Sequence, residues 1–74
     1  MDWRARITVD PRIAGGKPII KGTRMSVEFV VALLGRGWSV EQVVSEYDHL
    51  TAEDVQACAA YTREVHPAQG EGGI

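Results

Sequence analysis

The sequence predicts a small α+β domain: an N-terminal two-stranded β-hairpin followed by a three-helix, helix-turn-helix-like (homeodomain-like) bundle. Three observations carry that prediction. The run Gly15-Gly16-Lys17-Pro18-Ile19-Ile20-Lys21-Gly22-Thr23-Arg24 sets a short β-branched core between glycines that mark bends. Residues Arg4 to Val9 alternate in polarity, the period of a strand. Ser26, Ser39 and Thr51 each stand at the head of a helix-like stretch, where a hydroxyl side chain caps free backbone N–H groups.

The elements follow in chain order. In the first strand, Ala5, Ile7 and Val9 point to one face and Arg4, Arg6 and Thr8 to the other, which predicts a half-buried strand with a basic outer face. Asp10-Pro11 ends it, and Gly15-Gly16 closes the loop before Lys17 to Lys21 returns as a second strand. Pro18 donates no backbone hydrogen bond, which places that strand at a sheet edge or at a strand start. Beyond Ser26, Val27, Val30, Val31 and Leu34 recur at helical spacing, with Phe29 and Leu33 widening the stripe, and Gly35-Arg36-Gly37 supplies the stop. Ser39-Val40-Glu41-Gln42 has the capping-box pattern, and Val40, Val43, Val44 and Tyr47 form the second helix's apolar face. Asp48-His49-Leu50 turns the chain. Thr51-Ala52-Glu53-Asp54 repeats the start signal for a third helix with Val55, Cys58, Ala59, Thr62 and Val65 inward, ended by His66-Pro67. The expected core is Val30, Val31, Leu34, Val43, Val44, Val55 and Cys58. Residues 1–66 make the single domain, and the Pro/Gly-rich residues 67–74 form a flexible tail.

Charge is split along the chain. Residues 1–36 hold seven cations and three acids, and residues 37–74 hold one cation and seven acids. The net charge of −2 conceals two surfaces of opposite sign, suited to different partners or to a second copy of the chain. A chain of seventy-four residues buries only about 60 % of the surface its unfolded state exposes, and a two-stranded hairpin is marginal alone. A homodimer covering Ile7, Val9, Ile19 or Ile20 is therefore expected. The lone Cys58 has no disulfide partner and reads as a small core residue. No apolar run approaches the roughly 20 residues of a membrane span, and no signal-peptide pattern opens the sequence, so a cytoplasmic protein is expected.

At these residues the chain resembles a known family of short bacterial and archaeal proteins, domain-of-unknown-function family four-three-three. The family signature reads Gly-Gly-Lys-Pro-x-Ile-x-Gly-Thr-Arg, matched by Gly15 to Arg24. A helix, a Gly-x-Ser turn matched at Gly37 to Ser39, and a Tyr-x-x-Leu-Thr-x-Glu-Asp segment matched from Tyr47 to Asp54 follow. Asp48 stands where the family often has proline, and its side chain can turn the chain as well. The resemblance covers about Ile7 to Tyr61. It implies a helix-turn-helix-like fold and an antitoxin-like role, in which the chain binds and silences a PIN-like ribonuclease toxin and also contacts its own operon's DNA.

The residues themselves weigh against catalysis. His49 and His66 lie far apart with no cysteine or carboxylate at metal-ligand spacing, and Ser26, Ser39 and Thr51 are explained as caps. Adjacent Glu53 and Asp54 do not share a helix face and sit where the helix dipole favours acids. Gly16-Lys17 and Gly22-Thr23 lack phosphate-loop spacing. No cofactor or metal is expected. Gly22-Thr23-Arg24 before a helix could hold an anion, or Arg24 could pair with Asp10. Against DNA, the third helix would offer Ala52, Glu53 and Gln56, whose acidic neighbours repel phosphate, so the basic hairpin is the better reader. Trp38 closes the core or an interface, and Trp3 likewise, with the interface favoured for Trp3. Candidate DNA- or partner-binding residues are Trp3, Arg4, Arg6, Lys17, Lys21 and Arg24. The leading expectation is an antitoxin-like module that neutralises a ribonuclease; the alternatives are a DNA-binding regulator of its own operon and a stand-alone dimeric domain.

Overall fold

A computed structural model describes residues 2–65. The expected stop at His66-Pro67 and the tail at 67–74 lie outside the described residues. The observed order is a 3₁₀ turn (Trp3–Ala5), β1 (Ile7–Val9), a second 3₁₀ turn (Ala14–Gly16), β2 (Pro18–Ile20), α1 (Val27–Gly35), α2 (Val40–Glu46) and α3 (Ala52–Val65). This is the small α+β fold that the sequence predicts.

The first strand is shorter than its alternation suggests. Asp2 accepts the Arg4 N–H through Oδ1 at 3.0 Å, and the Arg6 N–H bonds the Trp3 carbonyl at 2.9 Å. That local cap winds residues 3–5 into a 3₁₀ turn, so Ala5 is exposed rather than inward. β1 and β2 pair antiparallel with Ile7 opposite Ile20, Thr8 opposite Ile19 and Val9 opposite Pro18. Ile7 and Ile20 enter the core, whereas Val9, expected inward, is 57 % exposed at the far end of the same face. Helix α1 reaches that end at Lys17 through Glu28 but leaves Val9 uncovered.

The caps form as the sequence predicts. Ser26 Oγ accepts the Phe29 N–H at 3.0 Å. Ser39 and Gln42 cap reciprocally, at 3.1 and 2.8 Å. Thr51 and Asp54 do the same: the Asp54 N–H donates to Thr51 Oγ1 at 3.1 Å, and the Thr51 N–H donates to Asp54 Oδ2 at 3.0 Å. Helix α1 ends with Gly37 at φ 98°, where its N–H bonds the Leu34 carbonyl and the Trp38 N–H bonds the Leu33 carbonyl. That pair of bonds is a Schellman stop, which favours glycine at the left-handed position and brings Trp38 back over Leu33.

The long helix α3 is the centre of the bundle, packing on α1, α2 and the first 3₁₀ turn. The core cluster joins Ile7 and Ile20 to Val27, Val30, Leu33, Val43, Leu50, Val55, Ala57 and Cys58. Of the expected core, Val30, Val43, Val55 and Cys58 are fully buried, while Val31, Leu34 and Val44 are only partly buried at its edge. The stripe of α1 is rotated toward Leu33, because β2 and α3 both pack on α1. Val65, expected inward, is 44 % exposed.

Candidate binding surface

The hairpin cations divide into two groups. Arg6 Nη1 donates to Asp54 Oδ1 at 3.1 Å, so Arg6 is held to the start of α3. Arg12 Nε and Nη2 make a two-point contact with the Asp10 carboxylate at 3.1 Å each, and Asp10 also accepts the Arg12 backbone N–H at 2.9 Å. These hydrogen bonds from Arg12, with a smaller contribution from the nearby Arg24 charge, hold the Asp10 carboxyl below its usual range. The Arg24 guanidinium thus acts on Asp10 at a distance rather than as its ion-pair partner. Lys17 Nζ lies 3.0 Å from Glu28 Oε1 at the start of α1, with both side chains largely exposed. Arg4 stacks on the Trp3 ring, 4.5 Å from its centroid, and approaches Asp2 at 3.5 Å and Glu64 at 4.0 Å.

Lys21 and Arg24 make no ion pair within 4.0 Å among the described residues. They stand at either end of a tight loop that leaves β2. The Ile20 N–H donates to the Met25 carbonyl at 3.0 Å, and an antiparallel bridge joins Ile19 to Ser26. Inside that frame, the Thr23 N–H and Oγ1 both donate to the Ile20 carbonyl, at 3.1 and 2.8 Å. Thr23 Oγ1 in turn accepts the Met25 N–H at 2.9 Å. Gly22 takes φ 80°, a left-handed value that a side chain would strain. The glycine and threonine of the signature thus fix the loop, and the lysine and arginine are its exposed ends.

Trp3 packs against the core, meeting Tyr61 edge-to-face with centroids 4.8 Å apart. Its indole Nε1 is buried without a hydrogen-bond partner. Trp38 also packs on the core, beside the α1 stop. The six candidate residues therefore do not make one continuous basic strand. What sequence reasoning missed is the set of acids that engage them: Asp54 for Arg6 and Glu28 for Lys17. The Asp54 pairing spans 48 residues and leaves no periodic trace in the sequence.

A groove of about 480 Å³ runs between the hairpin, α1 and α3, floored by Pro18, Val27, Val31, Tyr61 and Thr62, with Lys17 and Glu28 at its edge. Among the described residues, no group of three or more His, Cys, Asp or Glu side chains is placed to hold a metal ion, and no helix is long and apolar enough to cross a membrane.

A capped three-helix bundle carrying a short hairpin and a cationic loop defines a compact α+β domain of a known type. Residues 7–62 match the family described as Protein of unknown function (DUF433), and the chain belongs to that family. It is similar to the uncharacterized protein y4eO of Sinorhizobium fredii, at 36 % identity over 67 residues, covering 90 % of this chain and 30 % of that one. The fold matches the crystal structure of a DUF433 member protein from Anabaena variabilis with a TM-score of 0.76 and 34 % identity, over 86 % of this chain and 62 % of that chain. This chain thus spans less than two thirds of each of these two relatives.

Proposed function

We propose that the chain is a non-catalytic, antitoxin-like binding module that docks on an acidic surface of a partner ribonuclease. The observation that carries this reading is the Lys21–Arg24 loop. Its backbone is cross-bonded, and its two cations have no acid within 4.0 Å among the described residues. The fixed backbone removes the cost of ordering the loop when its two cations meet carboxylates, which leaves only the ordering of the two side chains. A metal-dependent ribonuclease clusters carboxylates at its active site, and Arg24 can bind one through two parallel N–H donors and so compete with the metal. Arg4, exposed and stacked on Trp3, is a third cation for the same partner, though Asp2 at 3.5 Å and Glu64 at 4.0 Å already share its charge.

The DNA-regulator reading draws less support. A β-ribbon that enters a groove needs several free cations along its length, and Asp54 and Glu28 already engage Arg6 and Lys17. The test is binding across a salt series. The chain is titrated against the product of its neighbouring gene and, separately, against a mixed-sequence DNA duplex. Binding and inhibition of a ribonuclease, with no retention of DNA at low salt, supports the proposal. Tight, steeply salt-dependent DNA binding without a protein partner replaces it with the regulator.

A further inference from the structure

We infer that the groove between the hairpin, α1 and α3 is the seat of a second copy of this chain, joined about a two-fold axis. The site lies at the Lys17 end of β2, away from the Lys21–Arg24 loop, and does not depend on the ribonuclease reading. Three features of the face point to a copy of itself. Its floor is apolar and open: Pro18, Val31 and Tyr61 line it. Two of the largest exposed apolar side chains extend that floor. Val9 is 57 % exposed and lies directly opposite Pro18 in the hairpin, and Val65 is 44 % exposed one turn beyond Tyr61 on α3. Isolated exposed valines are ordinary, but valines continuous with an apolar groove form a patch.

The rim decides the occupant. Lys17 and Glu28 stand side by side at the groove edge, 3.0 Å apart and largely exposed, one of each sign. A two-fold contact buries the same patch on both subunits, so the patch must complement itself. A rim carrying both signs meets that condition: with the axis passing between the two residues, each Lys17–Glu28 pair lies reversed against the other copy's pair, and the four charges alternate. A strongly acidic or strongly basic partner would satisfy only one of the two charges and oppose the other. The expected seat of the dimer also changes. Ile7, Ile19 and Ile20 are already covered by the chain's own residues, which leaves Val9 as the hairpin residue for the interface.

Sedimentation of the full chain at tens of micromolar, with the variants Lys17→Glu and Glu28→Lys, tests this. The parent should sediment at twice 8.1 kDa. Each single reversal should weaken the dimer about tenfold or more, because like charges then face each other across the axis. An equimolar mixture of the two reversed chains should recover a dimer, since each copy supplies the charge that the other lacks. Both positions are exposed, and circular dichroism establishes that each variant is folded. A parent that is monomeric throughout overturns the inference and leaves the groove to a different protein. Folded single variants that dimerise like the parent, or a mixture that does not recover, overturn it as well.

Discussion

Arg6 and Asp54 lie 48 residues apart in sequence and 3.1 Å apart in the folded chain. The contact ties the hairpin to the start of α3. Asp54 has one oxygen on Arg6 and the other on the Thr51 N–H, so a single carboxylate both caps the helix and anchors the strand. It is the only charged residue among the described ones that is buried, at 9 % exposure. Asp54→Ala should cost about 2–3 kcal/mol, combining a lost cap with a lost charge-assisted bond. Arg6→Ala should cost less, about 1–2 kcal/mol, because the Arg6 side chain is 40 % exposed and solvent screens it. The double variant should be less destabilised than the sum of the singles, which denaturant titrations of all four proteins measure. Strict additivity would show that the pair does not couple.

The rotated stripe of α1 gives a second test. Leu33 is 5 % exposed within the core, whereas Leu34 is only partly buried at its edge. Leu33→Ala should cost about 2–5 kcal/mol, and Leu34→Ala distinctly less. The order of the two midpoints in urea checks the assignment. Equal losses would mean that α1 turns its Leu34 face inward.

Cys58 is fully buried, and burial first, then the nearby Asp54 charge, pushes its thiol from the usual 9.0 up to about 12. The folded value lies above the unfolded one, so the folded state binds the proton more tightly. This contribution to stability is fully present below pH 9.0 and is lost as pH rises from there toward about 12. Thermal melts of the parent and of Cys58→Ala should therefore converge as pH rises through that window. At pH 8 the folded chain should resist alkylation by iodoacetamide and react once urea unfolds it. Rapid labelling under native conditions would show an accessible thiolate.

Local chemistry made much of this fold legible. Ser26, Ser39 with Gln42, and Thr51 with Asp54 cap helices because their partners lie within three residues, a range that sequence reading covers well. The second strand was equally plain, since Pro18-Ile19-Ile20 sits between glycine turns. The first strand was not. Its alternation spans six residues, and the Asp2 cap is a competing local interaction that takes half of them. Leu50 and Ala57 were missed from the core because one sits in a turn and the other has a small side chain that belongs equally to inside and outside. The candidate site was legible as a list of cations. Which of them stay free depends on Asp54 and Glu28, whose positions follow from tertiary packing.

The Lys21–Arg24 loop also predicts a selective effect of charge. Arg12→Ala should leave partner binding nearly unchanged, because Asp10 already occupies its guanidinium. Arg24→Ala should weaken binding by about 1–3 kcal/mol, the range for a charge-assisted bond across an interface. Calorimetric titration of both variants compares them. A larger loss for Arg12 would move the contact to the 10–16 loop.

The most direct measurement assays the product of the neighbouring gene for ribonuclease activity, alone and with the parent chain or Lys21→Glu/Arg24→Glu. Both substitutions lie on an exposed loop whose frame is made by Ile20, Thr23 and Met25, so the fold should survive them. The account predicts that the parent inhibits and that the reversed loop loses at least about tenfold in potency, since repulsion replaces two attractive contacts. Inhibition by the reversed variant equal to that of the parent would contradict it.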